Sequence, residues 1–286
     1  TGVADAMTDS TPVVVISGQV ASAALGTDAF QEADIIGLTG PITKWNYQIR
    51  RAEDVAWAVS RAFYIASTGR PGPVVLDFTK DAQVGLTDFE FRKCSFIRSY
   101  VPELPVPMEE VARAAELIDK AERPMVVYGQ GVILGGAEKA LAEFIEKGDI
   151  PAASTLLGLA ALPSSSRLYQ GMIGMHGNVA PNIKTNECDV LIAVGMRFDD
   201  RVTGTLSKYA KQAKVIHIDI DASEIGKIVP VEVGINANAA EVLPALTSMI
   251  GARRRDAWVD SFSECSRIEC EKVIDRELHP GEGHIR

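Results

Sequence analysis

Six short apolar, β-branched runs, each closed by glycine or a polar residue, set the tightest limit on how this chain can fold. They are Pro12–Ser17, Pro73–Phe78, Pro124–Tyr128, Pro151–Ser154, Asp189–Val194 and Lys214–Ile220. Segments of helical spacing separate several of them. In Glu53–Ser67 the residues Val55, Val59, Ala62, Phe63 and Ala66 keep the rhythm of one helix face, and Gly69 and Pro71 then stop the helix. Glu109–Ala121 repeats the rhythm through Val111, Ala114, Leu117 and Ile118; Ala137–Lys147 does so through Leu141, Phe144 and Ile145, ending at Gly148. Strands that are apolar on both sides, alternating with helices, need a parallel sheet covered on both faces. The expected fold class is α/β.

The rhythm fails between Phe89 and Met108, where Arg92, Lys93 and Arg98 are followed by Pro102, Pro105 and Pro107. Residues 89–107 therefore read as a linker. Residues 1–88 hold two strands and one long helix, too little to close a doubly wound sheet, and are expected to be the second half of a domain. Residues 108–254 hold four strands with helices and are expected to form a complete Rossmann-like domain. Residues 255–286 read as a helical linker, with Trp258, Phe262, Cys265 and Ile268 on one side of Asp256–Glu277.

Composition removes several classes of function. Lys and Arg number 29 against 38 Asp and Glu, a net charge of −9, which disfavours a nucleic-acid partner. Arg253-Arg254-Arg255 is a tight basic cluster but reads as a solvated face. No apolar run approaches the roughly 18 residues of a membrane-spanning helix, so no membrane partner is expected. Cys94, Cys188, Cys265 and Cys270 form no CxxC pair and have no histidine at metal-ligand spacing, so neither a metal site nor a disulfide framework is expected. Sparse cysteines of this kind fit a reducing, cytoplasmic setting. No signal peptide is visible, although the chain opens at Thr1 without Met, so this says little about a longer protein.

Ligands of parallel α/β sheets gather at the carboxyl ends of the strands. Those ends are Gly18-Gln19, Lys80-Asp81, Gly129-Gln130-Gly131, Ser154-Thr155-Leu156, Gly195-Met196-Arg197 and Asp219-Ile220-Asp221. Gly129-x-Gly131 would let backbone amides approach a phosphate. It lacks the rest of the dinucleotide fingerprint, since position 134 is Leu and Asp219 lies far beyond the expected ~20 residues. An NAD unit is disfavoured, and a structural turn is the better reading of that motif taken alone. In Gly174-Met175-His176-Gly177 a histidine stands between glycines, which suits backbone lying close to a ligand. Arg197-Phe198-Asp199-Asp200-Arg201 is balanced between an internal salt-bridge network and an arginine fork for a carboxylate or phosphate. Gly26–Glu32 mixes an aromatic with polar groups, and Gly69–Pro73 holds Arg70 between rigid residues.

The strings GQV, GTDAFQEAD, ITKWN, TGRPGPVVLDFTKD, GMHG, GMRFDDRVTG and HIDIDASEIGK occur in this order. Over essentially all 286 residues the chain resembles the large catalytic subunits of acetolactate synthase (acetohydroxyacid synthase), a thiamine diphosphate-dependent family. GRPGPV is shared widely among such enzymes, whereas RFDDRVTG and GTDAFQE point to this one. The resemblance implies the latter half of a pyrimidine-binding domain, then the whole central domain, then a linker toward a diphosphate-binding domain. The implied activity decarboxylates pyruvate and joins the two-carbon unit to a second 2-ketoacid, pyruvate or 2-ketobutyrate, in branched-chain amino-acid synthesis. Thiamine diphosphate and Mg²⁺ would serve the full-length enzyme. The activating Glu would lie upstream of Thr1 and the GDG metal motif downstream of Arg286, so these residues alone are expected to be inactive and to bind no metal.

By the same resemblance, Gln19 lines the thiamine site, Phe30, Gln31 and Lys80 lie along the substrate approach, and Arg201 faces the second ketoacid. The central domain would bind FAD in a structural role. Its contacts would be Arg70, Gly129, Gln130, Gly131, Thr155, Leu156, Gly174, Met175, His176, Gly177, Gly195, Met196, Arg197, Asp199, Asp219 and Ile220, with Lys44 near the flavin or the entrance. The family's Gly-Asp before the last central-domain helix is replaced here by Ala237-Asn238, so Asn238 keeps a polar contact and loses the charge. A homodimer or tetramer and a regulatory small subunit are the implied partners. Glyoxylate carboligase, pyruvate oxidase and a non-catalytic FAD-binding module are the competing readings.

Overall fold

Parallel pairing links every named strand, in two separate sheets. The computed structural model describes residues 1–275, and the chain divides into a first unit, Thr1–Glu103, and a second that begins at Leu104.

The first unit contains helix α1 (Gly2–Thr8), strand β1 (Val14–Gln19), α2 (Ile35–Thr39), β2 (Trp45–Ile49), α3 (Val55–Ser67), β3 (Val74–Thr79) and α4 (Lys80–Val84). Its sheet has the order β1-β3-β2. Three strands replace the two expected. The additional one, β2, is no apolar run: Trp45, Tyr47 and Ile49 alternate with Asn46 and Gln48, the pattern of a half-buried strand. Val74 and Leu76 pack with Ala58, Ala62 and Ile65 of α3. The opposite alternation is polar: Ser17 and Gln48 both stand in register with Asp77. Asp77, fully buried, accepts from Ser17 Oγ at 2.7 Å, Gln48 Nε2 at 3.0 Å and Gln19 Nε2 at 3.3 Å.

The second unit contains α5 (Met108–Lys120), β4 (Pro124–Tyr128), α6 (Gln130–Leu134), α7 (Glu138–Gly148), β5 (Ala152–Ser154), β6 (Tyr169–Met172), α8 (Val179–Lys184), β7 (Val190–Val194), α9 (Asp200–Thr203), β8 (Lys214–Asp219), β9 (Val233–Asn236), α10 (Ala239–Met249) and α11 (Asp256–Glu269). Among the described residues six strands stand where four were expected. The two additional ones, β6 and β9, are four-residue strands at the sheet edges, each carrying a glycine that blurs its pattern. The order β6-β5-β4-β7-β8-β9 is the doubly wound arrangement, with its direction reversing between β4 and β7.

Every residue of β4 and β7 is buried, because helices cover both faces. On one face Val126, Ile192 and Ile216 pack with Val111 of α5, Phe144 of α7 and Leu243 of α10. On the other Met125, Val127 and Leu191 pack with Ala180 of α8 and with Trp258 and Phe262 of α11. The helix read as a linker from 255 thus forms part of this core, and Trp258 Nε1 donates to Pro124 O at 2.8 Å; the remainder of that stretch, 276–286, lies outside the described residues. Arg255, buried just before α11, donates to the carbonyls of Ile118 (3.0 Å), Ala121 (3.3 Å) and Gly148, fastening the ends of α5 and α7. Among the described residues no helix is long and apolar enough to cross a membrane.

Candidate cofactor site at the switch point

Where a doubly wound sheet reverses direction, the loops after its two central strands part and leave a crevice. Here those loops are Gly129–Gly131 after β4 and Gly195–Asp199 after β7. Their glycines serve close packing. A Cβ on Gly131 would lie 2.6 Å from Gly195 Cα, and one on Gly129 2.6 Å from Gly195 O. The amide of Gly129 donates to Val194 O (3.0 Å), that of Gly131 to Gly195 O (2.9 Å) and that of Gly195 to Ile218 O (2.8 Å). The two glycines thus let the loops touch, and their amides are engaged by protein carbonyls; their direct use on a phosphate is not what this geometry provides.

Neighbouring tips join the same edge. Thr155 N donates to Tyr128 O at 2.8 Å, which sets Leu156 beside the β4 loop. Ile173 N donates to Ser154 O at 2.8 Å, and Met175 N to Arg201 O at 2.8 Å, so the GMHG segment leans on the loop after β7. Leu156 and Met175 are 65% and 60% exposed, which leaves an apolar surface at the sheet edge. His176 is exposed.

Charge is arranged along the same line. Arg197 Nε stands 3.5 Å from Asp199, and Arg201 Nε 3.9 Å from Asp200. Asp199 also caps α9, accepting from the amides of Arg201 (2.9 Å) and Val202 (3.1 Å). Both readings of this run therefore hold in part: Asp199 builds local structure, while the Arg201 side chain is largely exposed beside Met175 Sδ, at 3.8 Å. At the end of β8, Asp219 accepts from Asp221 N (2.9 Å), and its carbonyl accepts from Asn236 Nδ2 (3.0 Å); Ile220 follows it, half-buried. Asn238 accepts from Ala240 N at 3.0 Å as the cap of α10, and its Oδ1 would stand 2.8 Å from a Cβ on Gly135 at the end of α6.

Three residues that sequence reading missed hold these loops. His217, fully buried on β8, bonds Met196 O through Nε2 at 2.9 Å. A carbonyl can only accept, so Nε2 carries the proton and Nδ1 is left buried without a partner. Burial pushes this imidazole below its ordinary value and keeps it neutral. Asn178 and Asn182 of the α8 region bond the backbone of Met172 and Gly174.

Residues 111–246 match the family described as "Thiamine pyrophosphate enzyme, central domain". Over those residues the chain is similar to the thiamine pyrophosphate enzymes. Curated relatives extend the similarity across both units. It is 44% identical over 282 residues to the acetolactate synthase isozyme 2 large subunit of Escherichia coli, covering 99% of this chain and 50% of that protein. It is 42% identical over 274 residues to a probable acetolactate synthase large subunit of Methanocaldococcus jannaschii, covering 94% and 46%. Against the acetolactate synthase large subunit of Corynebacterium glutamicum the identity is 44% over 265 residues, covering 91% and 42%. The chain thus spans about half the length of these relatives.

The expected residues of the first unit take different positions. Gln19 is the last residue of β1 and not the residue after it. Its Nε2 donates to Ala33 O at 2.7 Å and its Oε1 accepts from Val20 N at 2.8 Å, so it ties the strand to the end of the 26–33 loop. Glu32 gathers that loop by accepting from the amides of Gly26 and Ala29. Phe30 is 87% exposed at its tip, and Gln31 has a left-handed φ of +63°. Lys80 opens α4, exposed, after Thr79, the register partner of Gln19. Arg70 donates to Ser10 Oγ at 2.9 Å. Lys44 Nζ donates to Ile65 O (2.5 Å), Thr68 O (2.6 Å) and Tyr100 OH (3.0 Å), closing the end of α3.

Proposed function

We propose that this chain supplies the central portion of an acetolactate synthase large subunit, acting on pyruvate and a second 2-ketoacid, and that its second unit binds FAD at the β4–β7 switch point. The observation that carries the reading is the gathering of Gly129, Thr155, Met175 and Arg197 on one sheet edge, around the place where a doubly wound fold receives a nucleotide. The exposed apolar Leu156 and Met175 suit a flavin ring, and the half-exposed Arg197 suits an anionic group. Asn238, already capping α10, offers a neutral contact where the family has an acid. Because Gly129 and Gly131 have engaged amides, their part is to hold the two loops together beside the ligand.

Thiamine diphosphate, when bound with Mg²⁺ in a full-length enzyme, supplies the carbanion chemistry. Arg201 would hold the carboxylate of the second ketoacid, a task for which a planar guanidinium fits better than an ammonium. In the first unit, Gln19 would hold the thiamine-facing wall indirectly, by fixing the 26–33 loop, while Phe30, Gln31 and Lys80 would line the approach. Lys44 supports the same unit as a cap of α3. A regulatory small subunit, assembly of large subunits and a cytoplasmic location belong to the same reading, and the 286 residues by themselves are expected to form no acetolactate.

Gel filtration of the chain after mixing with FAD tests the reading. Retention of the visible flavin band with the protein is expected, and its complete loss on the column would remove the flavin assignment. In a full-length setting, Arg201→Ala should raise KM for the second ketoacid far more than it slows consumption of pyruvate alone.

A further inference from the structure

The segment after β6 is held in an unusual way. Most strand tips at this edge are fixed by backbone bonds to a neighbouring strand, whereas Gly174 is fixed by a side chain. Asn182 turns its carboxamide onto Gly174 in both directions: Gly174 N donates to Oδ1 at 3.0 Å, and Nδ2 donates to Gly174 O at 2.9 Å. The same Nδ2 reaches Asn178 O at 3.0 Å. Asn178 holds Met172 with one side-chain and one backbone bond, its Oδ1 accepting from Met172 N at 2.9 Å and its backbone N–H donating to Met172 O at 2.7 Å. Glu269 of α11 completes the clamp by accepting from Val179 N at 3.1 Å.

What the clamp holds is a backbone that glycine alone adopts readily. Gly174 has φ +104°, a conformation closed to other residues, and a Cβ there would meet Arg201 O at 2.8 Å. Gly177 is equally confined, with Met172 O 2.3 Å from its absent Cβ. A connection between a strand and a helix needs neither a left-handed glycine nor two asparagines to hold it. Both features are concentrated on the one segment whose Met175 and His176 side chains stand exposed at the sheet edge beside Arg201.

We propose that Asn182 is a positioning residue of the flavin site: its two-way bond to Gly174 sets the backbone of Gly174–Gly177 so that Met175 and His176 meet the flavin in one fixed arrangement. This rests on the flavin reading above, and acts through Gly174 with no contact of its own to the ligand.

The test uses Asn182→Asp, which keeps the acceptor of Gly174 N and removes both donor bonds, together with Asn182→Ser, which keeps a smaller polar group. For each chain, three quantities are measured: FAD affinity by titration of the visible band, the shape of the bound band, and exchange protection of the Gly174 and Met175 amides. Asn182→Asp should lose about tenfold in FAD affinity and change the band shape while the Gly174 amide, whose acceptor remains, stays protected; Asn182→Ser, which cannot reach Gly174, should lose affinity and the Gly174 protection together. If Asn182→Asp fails to fold, Asn182→Ser carries the comparison. Unchanged affinity and band shape alongside lost protection would overturn the proposal, since the clamp would then be structural only. Unchanged protection at Gly174 in Asn182→Ser would overturn it as well. Failure of the parent chain to take up FAD would overturn the flavin reading and this role together, and the exchange data would still show whether the clamp exists.

Discussion

Strands β1 and β7 are built from nearly the same alphabet, Val-Val-Ile-Ser-Gly-Gln against Val-Leu-Ile-Ala-Val, yet they live in different environments. β7 lies between β4 and β8 with helices over both faces, and Ile192 within it is fully buried. β1 pairs with β3 alone, and Ile16 within it is 63% exposed. The apolar run specifies a strand in both units, but burial depends on how many layers the surrounding chain provides. Among the described residues the second unit has two apolar cores; the first has one, and places a polar row of Ser17, Asp77 and Gln48 on its other face. Loop tips tied by backbone bonds to neighbouring strands are accordingly found in the second unit, while the loop of Phe30 and Gln31 in the first is gathered by Glu32 and tied by Gln19.

Substitutions can break or sharpen this contrast. The largest effect should come from Ile192→Ala, which leaves a cavity in the covered sheet and should cost about 2–5 kcal/mol in urea unfolding of the second unit. Arg255→Ala should cost about 3 kcal/mol by stripping the donor from carbonyls at the ends of α5 and α7, read as lost exchange protection in the last turns of both helices. Gly131→Ala places a methyl group 2.6 Å from Gly195 Cα. It should cost about 1–3 kcal/mol and release the flavin band on gel filtration, because the two switch-point loops must separate.

Lys44→Met should remove about 1–2 kcal/mol from the first unit at neutral pH, and its effect should vary with pH. Burial lowers the Lys44 ammonium from 10.5 to about 8. The folded unit therefore loses this proton before the unfolded chain does. Between about 8 and 10.5 the unfolded state binds more protons, so the parent should gain stability with rising pH while Lys44→Met shows no such gain. The smallest effect belongs to Ile16→Ala, within about 0.5 kcal/mol, since that side chain is already in water. A large loss there would erase the distinction between the two units.

The α/β class was legible because continuous apolar runs such as Val190–Val194 have few other uses. β2, β6 and β9 were not, because alternation with Asn46 and Gln48, or a glycine in a four-residue strand, leaves too little periodic signal. The strand tips of the second unit could be found from the ends of the apolar runs, two of them marked by glycine, but not the task of each glycine: only the fold shows Gly131 lying against Gly195. Asn182 and Asn178 carried no signal of their own, and His217 opened the string HIDIDASEIGK with no role attached to it. Each works on a backbone atom reached through space, and an asparagine eight residues beyond Gly174 means nothing until α8 turns it back. Lys44 shows the reverse case, a motif residue whose ammonium closes a helix.

Hydrogen exchange across the chain, measured with and without FAD, bears most directly on the flavin edge. Slower exchange is predicted in the segments 155–159, 174–178 and 196–201, with β1 and the rest of the first unit's sheet unchanged. Uniform exchange with and without FAD, or protection confined to the first unit, would contradict a flavin site at the β4–β7 reversal.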